Sequence, residues 1–306
     1  MLDSRRRYTI ALAFLTLYLV WGSTYLAIRI GVHDLPPALF AGVRFVISGL
    51  LLAVVARMSG QAFPVSAREW RLIALVGILL LAGGNGLVVV GEQWVPSNQA
   101  ALLVATTALW LAGFGTLGAQ GQALTRQALF GLLLGFFGVA LLLLPDSEPF
   151  LLAHFGGQMS ILLAALLWSV GSIYGKRQVQ TTPPLMSAAM QMLAGGVFLC
   201  VIGLSLGEAG AWTWGFQGMT ALLYLIVFGT LGFASYIWLL HNVAPVYLGT
   251  YAYVNPAVAV LLGWWLLDET LTGLQLVGMA VILTAVITVS LSASPKKSDA
   301  PPRTLP

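Results

Sequence analysis

The 306-residue chain carries an echo of itself at a displacement of 147 positions. Trp21 falls on Trp168, Pro36-Pro37 on Pro183-Pro184, Gly49 on Gly196, Leu124-Thr125 on Leu271-Thr272 and Gly131 on Gly278. Coincident Leu or Ala means little in so apolar a sequence, but matched Trp and a matched Pro-Pro pair carry weight. Each copy holds an odd number of apolar stretches. Successive membrane helices alternate in direction, so an odd count forces the second copy to lie upside down relative to the first. The expected fold is all-α: a polytopic membrane protein of about ten transmembrane helices in two inverted five-helix repeats, an arrangement found in alternating-access carriers.

Composition supports the membrane setting. Hydrophobic residues make up 59% of the chain and charged residues 8%, against about 25% charged in a soluble domain. A soluble fold of this length could not cover its surface with so few charges. Long unbroken apolar stretches favour helices over a β-barrel, whose strands show alternating segments of about 10 residues. The net charge of +4 is spread singly or in short clusters between the stretches, which fits membrane orientation better than nucleic-acid binding. One cysteine, Cys200, permits neither an intrachain disulfide nor a multi-cysteine metal site. Arg5-Arg6-Arg7 precedes an apolar run with no evident cleavage site, read as a first span rather than a signal peptide.

The expected spans lie at about 8–31, 37–58, 70–91, 97–118, 127–144, 159–176, 185–206, 218–240, 246–267 and 273–292. Pro, Gly or charge marks the breaks, as at Asp34-Leu35-Pro36-Pro37, Val95-Pro96-Ser97-Asn98 and Thr182-Pro183-Pro184. The first repeat is placed at 1–145, the second at 158–292, and 293–306 is read as a disordered cytoplasmic tail. With the N-terminus in the cytoplasm, the inner segments hold 12 of the 14 Lys and Arg residues and the outer loops none. That asymmetry places both termini inside the cell and supports the span count, because an error would invert every later loop.

Arg44 and Arg29 are the two cations left inside spans. A central Arg costs about 2.5–3.5 kcal/mol to insert, so Arg44 should face the bundle interior or a wet cavity. It is read either as a guanidinium for a substrate carboxylate or as a structural cation. Arg29 lies near a span end, where it can snorkel, yet it shares a helix face with Trp21 and Tyr25. Asn85 stands between Gly84 and Gly86, where a helix can approach closely or unwind. Tyr251, Tyr253 and Asn255 lead to Pro256, which frees a helical carbonyl and can form a hinge or a static kink. Tyr236, Gln191, Ser172, Thr106 and Thr107 are further candidates of lower specificity, since Ser and Thr in membrane helices often bond to their own backbone. The acids lie in tails, loops or span ends, with Glu92 nearest the membrane interior. His33, His154 and His241 fall at or beyond span ends, so no proton relay is visible, and no cofactor or metal site is expected. There is no HExxH, P-loop or nucleophile elbow to support enzyme chemistry.

Trp21-Gly22-Ser23-Thr24-Tyr25 with Ile28-Arg29-Ile30-Gly31 resembles the first-helix motif of the EamA-like drug/metabolite transporters. Ala41-Gly42-Val43-Arg44-Phe45, Gly84-Asn85-Gly86, Val95-Pro96-Ser97, Tyr251-Ala252-Tyr253-Val254-Asn255-Pro256 and Glu269-Thr270-Leu271 continue the likeness over about residues 8–292, nearest to its YedA-type inner-membrane branch. The resemblance implies ten helices in two inverted repeats and a central cavity lined by the first, third, fourth, sixth, eighth and ninth spans. It also implies export of amino acids, related metabolites or toxic compounds. Two features depart from the pattern. Ala108 stands where many relatives have a Pro that kinks the fourth span, and Gln120 and Gln122 stand where an acid often precedes Leu-Thr.

The resulting expectation is an inner-membrane secondary transporter, monomeric or dimeric, exporting amino acids or related small metabolites. Trp21, Thr24, Tyr25, Arg44, Asn85, Ser172, Gln191, Tyr236, Tyr251, Tyr253 and Asn255 are its candidate substrate contacts, and Arg29, Glu92, Pro256 and Glu269 its candidate gating or hinge residues. A proton-coupled multidrug pump using Glu92, an uncoupled facilitator and a membrane enzyme are the alternatives.

Overall fold

The computed structural model describes residues 4–117, 125–143, 152–178, 181–243 and 251–292. The tail, most of the connection between the halves, Gln120 and Gln122 lie outside that set, as does the side chain of Tyr253. Among the described residues the secondary structure is helical, with no strand.

The helices are α1 (Ser4–Asp34), α2 (Pro37–Met58), α3 (Ala67–Gly91), α4 (Ser97–Ala105), α5 (Thr107–Phe114), α6 (Arg126–Leu143), α7 (Leu152–Arg177), α8 (Pro184–Ser205), α9 (Phe216–Asn242), α10 (Tyr251–Leu267) and α11 (Gly273–Ser292). Six stretches are long and apolar enough to cross a membrane: Arg6–Asp34, Pro37–Met58, Ala67–Gly91, Leu152–Arg177, Pro184–Ser205 and Phe216–Tyr236. Arg126–Leu141, Val254–Leu267 and Gly273–Val289 are shorter apolar helices.

The helix starts are set by local chemistry. Pro36 and Pro183 hold extended backbone, and Pro37 and Pro184 follow inside the first turn of α2 and α8, where a missing N–H costs nothing. Ser66 caps α3 by accepting from the Glu69 amide at 3.2 Å. Thr272 and Gln275 form a reciprocal capping box at the start of α11.

Two helices are not regular. The middle of α3, Ile78–Gly86, is a π-helix containing Gly84-Asn85-Gly86. The span expected at 97–118 is interrupted at Thr106, which separates α4 from α5 without a proline. The Thr106 amide donates to Leu103 O only three residues back, at 3.2 Å, and its hydroxyl donates to the same carbonyl at 2.6 Å. That tightened i−3 turn is what interrupts the helix.

Glycine lets the helices approach closely. α2 packs on α8, α6 on α11, α1 on α9 and α10, and α3 on α7 and α8. At the α2–α8 crossing, a Cβ on Gly49 would sit 2.9 Å from Leu193 N, and one on Gly196 would sit 2.7 Å from Val46 N. Lipid offers apolar helices no hydrophobic drive to associate, so such backbone approach carries the packing.

The two halves cap each other. Glu208 accepts from the Ala38 and Leu39 amides of α2 at 3.2 and 2.7 Å. Gln61 Oε1 accepts from the Met186 amide of α8 at 3.0 Å. Glu208 lies 147 positions after Gln61, and Met186 the same distance after Leu39.

Candidate functional site

A cavity enclosing about 900 Å³, its open side included, lies at the centre of the bundle. α1 contributes Trp21, Thr24, Tyr25 and Ile28, and α2 contributes Arg44, Phe45 and Ser48. α3 supplies Leu81, Gly84, Asn85 and Val88 from its π-helical stretch and the turn after it, and Val104 and Thr107 flank the break between α4 and α5. Trp168 of α7, Met192 of α8, Phe233 of α9, and Tyr251 and Asn255 of α10 close the ring. Both irregular helices therefore border this space, the setting in which non-regular backbone survives at membrane depth.

Arg44 is the charged side chain of the described lining. It is 4% exposed, donates a hydrogen bond from Nη2 to Asn85 Oδ1, and lies 4.2 Å over the Phe45 ring. The π-helical widening around Gly84 and Gly86 brings Asn85 to that guanidinium. An amide acceptor orients the fork without neutralising it.

Another part of the wall is aromatic. Trp21 meets Trp168 edge-on at 6.0 Å and Tyr251 edge-on at 5.3 Å, and tilts against Tyr236 at 5.0 Å. Trp21 and Trp168 are the pair that coincides in the sequence echo, so equivalent residues of the two copies meet at the cavity. Two polar atoms in the lining, Asn255 Oδ1 and Thr107 Oγ1, are buried without a partner among the described residues. A ligand in the cavity would find a cation, two free polar atoms and apolar rings.

Trp21, Thr24, Tyr25, Arg44, Asn85, Tyr251 and Asn255 are thus brought together. Tyr236 stands one layer behind, against Trp21 and Tyr251. Ser172 and Gln191 are absent from the lining. Ser172 donates to Trp168 O on its own helix at 2.7 Å, and Gln191 donates to Ser187 Oγ at 3.2 Å where α8 crosses Gly77. Sequence reasoning misses Trp168 as a wall residue, although its match to Trp21 is an available signal. Ser48, Met192 and Phe233 carry no such signal.

Of the candidate gating residues, Arg29, Glu92 and Glu269 gather where α1 and α3 end. Arg29 Nη1 donates to the backbone carbonyl of Glu92. Glu269 accepts from Ser97 N at 2.8 Å, Ser97 Oγ at 2.8 Å and Asn98 N at 3.1 Å, capping α4. Glu92 is fully buried. Pro256 lies inside α10, next to Asn255. Among the described residues no group of three or more His, Cys, Asp or Glu side chains could hold a metal ion.

Known proteins agree with this architecture. The model of the EamA-like transporter family matches residues 8–144 and again 155–291. An uncharacterized inner membrane transporter of Escherichia coli (strain K12), YedA, is 39% identical over 281 residues, covering 91% of this chain and 90% of that protein. The uncharacterized transporter YvbV of Bacillus subtilis (strain 168) is 27% identical over 303 residues, covering 97% and 95%. A solved crystal structure shares the fold with a TM-score of 0.66 at 21% identity, over 93% of this chain and 98% of that one. The chain, matched by one family model in both of its halves, belongs to the EamA-like transporter family.

Proposed function

We propose that this transporter is an inner-membrane exporter of small amphipathic metabolites, with amino acids the leading class, working by alternating access. The proposal includes ten spans in two inverted repeats, 1–145 and 158–292, with α4 and α5 counted as one span and both termini in the cytoplasm. Three observations support it: the one-sided distribution of Lys and Arg, the twofold match of the family model, and the reciprocal caps of Gln61 and Glu208. Inner-membrane placement follows the name of the YedA relative.

The observation that carries the substrate class is Arg44 at the wall of an otherwise neutral, aromatic cavity. Its fork and Asn85 suit a carboxylate. Asn255 Oδ1 and Thr107 Oγ1 can accept from an ammonium, and Trp21, Trp168 and Tyr251 suit an apolar side chain. An organic cation would meet Arg44 as a like charge, and no acid stands in the described lining to offset it. In the transport cycle the two bundles rock around this site and expose it to one side and then the other.

The test is flux of candidate amino acids in reconstituted vesicles. Hydrogen bonds to a charged group contribute about 1.5–3 kcal/mol, so Arg44→Gln is expected to weaken carboxylate binding by about tenfold or more. Unchanged transport of every candidate substrate would remove Arg44 from the site.

A further inference from the structure

We propose that Glu92 is a proton-binding site whose occupancy decides whether the outer side of the carrier closes, so that substrate release is linked to external pH. This rests on the membrane orientation proposed above, in which the ends of α1 and α3 face outward.

Glu92 is 0% exposed, and neither carboxylate oxygen has a hydrogen-bond partner among the described residues. The neighbouring cation does not serve them, since Arg29 donates to the Glu92 backbone carbonyl. Among the described residues, the charged and titratable groups facing Glu92 are Tyr25 and Arg29 from α1, Arg44 from α2 and Glu269 from the segment before α11. Arg44 is turned to Asn85. From α7, which packs on Gly91 through Gly157 and Ile161, the titratable group at this end is His154, held by Trp94 O and Gln158.

Two carboxyl groups thus lie in one cluster, Glu92 buried and Glu269 half-buried, with opposite supplies of donors. Glu269 accepts three hydrogen bonds at the N-terminus of α4. Glu92 accepts none, and an ionised, unpaired carboxylate is the costliest group a dry interior can hold. A proton on Glu92 removes that cost.

Opening the outer side parts α1 from the end of α3 and brings water to Glu92. The carboxyl O–H then breaks, its proton passes to external water, and Arg29, freed from the carbonyl, becomes the counter-ion. Closing reverses each step. One proton enters from the external medium on every closure and returns to it on every opening. External acid therefore favours the closed outer side and external alkali the open one.

Val95, fully buried beside this cluster, can report the opening. With Cys200→Ser as background, Val95→Cys is labelled from outside by a membrane-impermeant maleimide, and its rate is divided by that of the exposed Ala209→Cys. The ratio is expected to rise with external pH by up to about tenfold per unit, the slope of a single proton, and Glu92→Gln is expected to flatten it. A second measurement needs no variant. Dicyclohexylcarbodiimide, which attacks protonated carboxyls in apolar sites, should modify Glu92 and spare Glu269 in acid medium. An equal rise in the Glu92→Gln protein overturns the proposal, and so does an adduct on Glu269 in place of Glu92. A Glu92-dependent response confined to the cytoplasmic face leaves the proton site standing and overturns the orientation instead.

Discussion

The tightest demands on single residues fall on glycines at helix crossings. A Cβ on Gly42 would lie 2.6 Å from Cys200 Sγ and 2.7 Å from Cys200 N, in backbone that cannot move aside cheaply. Gly113, at the end of α5, has nothing within 4 Å of that position among the described residues. Overpacking a fitted interface costs about 1–3 kcal/mol, so Gly42→Ala should lower the midpoint of thermal unfolding in detergent. Gly113→Ala should leave it unchanged or slightly raised, because alanine is the better helix former. Sequence shows that both are glycine; the neighbouring helix, which makes one indispensable, appears only in the fold. Arg44 is the opposite case. Its insertion cost alone dictates that it face the interior, so its place in the cavity wall is legible from the amino-acid sequence. Ser172 and Gln191 depart from expectation because a polar atom in a membrane helix can be satisfied within its own helix, and both are.

Among elements, α3 shows how irregular backbone shapes a site. Its π-helical stretch sets Gly84 flat against Trp168, where an added Cβ would lie 2.8 Å from Cε3 of the indole. Gly84→Ala should push that ring into the cavity. A displaced rotamer costs about 1 kcal/mol, so substrate affinity should fall about fivefold, visible as a raised KM at unchanged expression and unfolding temperature. The Gly-Asn-Gly signal for this distortion is readable because glycine flanking a polar residue inside a span has few other uses. The break at Thr106 is not, since it rests on a side chain folding back onto a carbonyl, which any threonine can do. Which face each helix turns to the cavity is also hidden. Apolar residues surround most of these helices, so periodicity no longer separates inside from outside. Trp168 is concealed for that reason.

For the whole molecule, the proposed inverted arrangement makes a prediction from two equivalent positions. Ala62 and Ala209 stand 147 residues apart, both exposed, each beside a capping residue. With Cys200→Ser as background, an impermeant thiol reagent should reach Ala62→Cys only from the cytoplasm and Ala209→Cys only from outside. Labelling of both from one side would exclude the inversion. The crossed caps also bear on how the chain is made. A ribosome delivers the first half before the second, yet α2 takes its cap from Glu208 and α4 takes its own from Glu269. The early helices can be threaded into the bilayer on schedule, but their leading amides stay bare until residues far downstream arrive. Biogenesis thus separates insertion from completion, and the nascent first half spends that interval as an assembly intermediate waiting on translation.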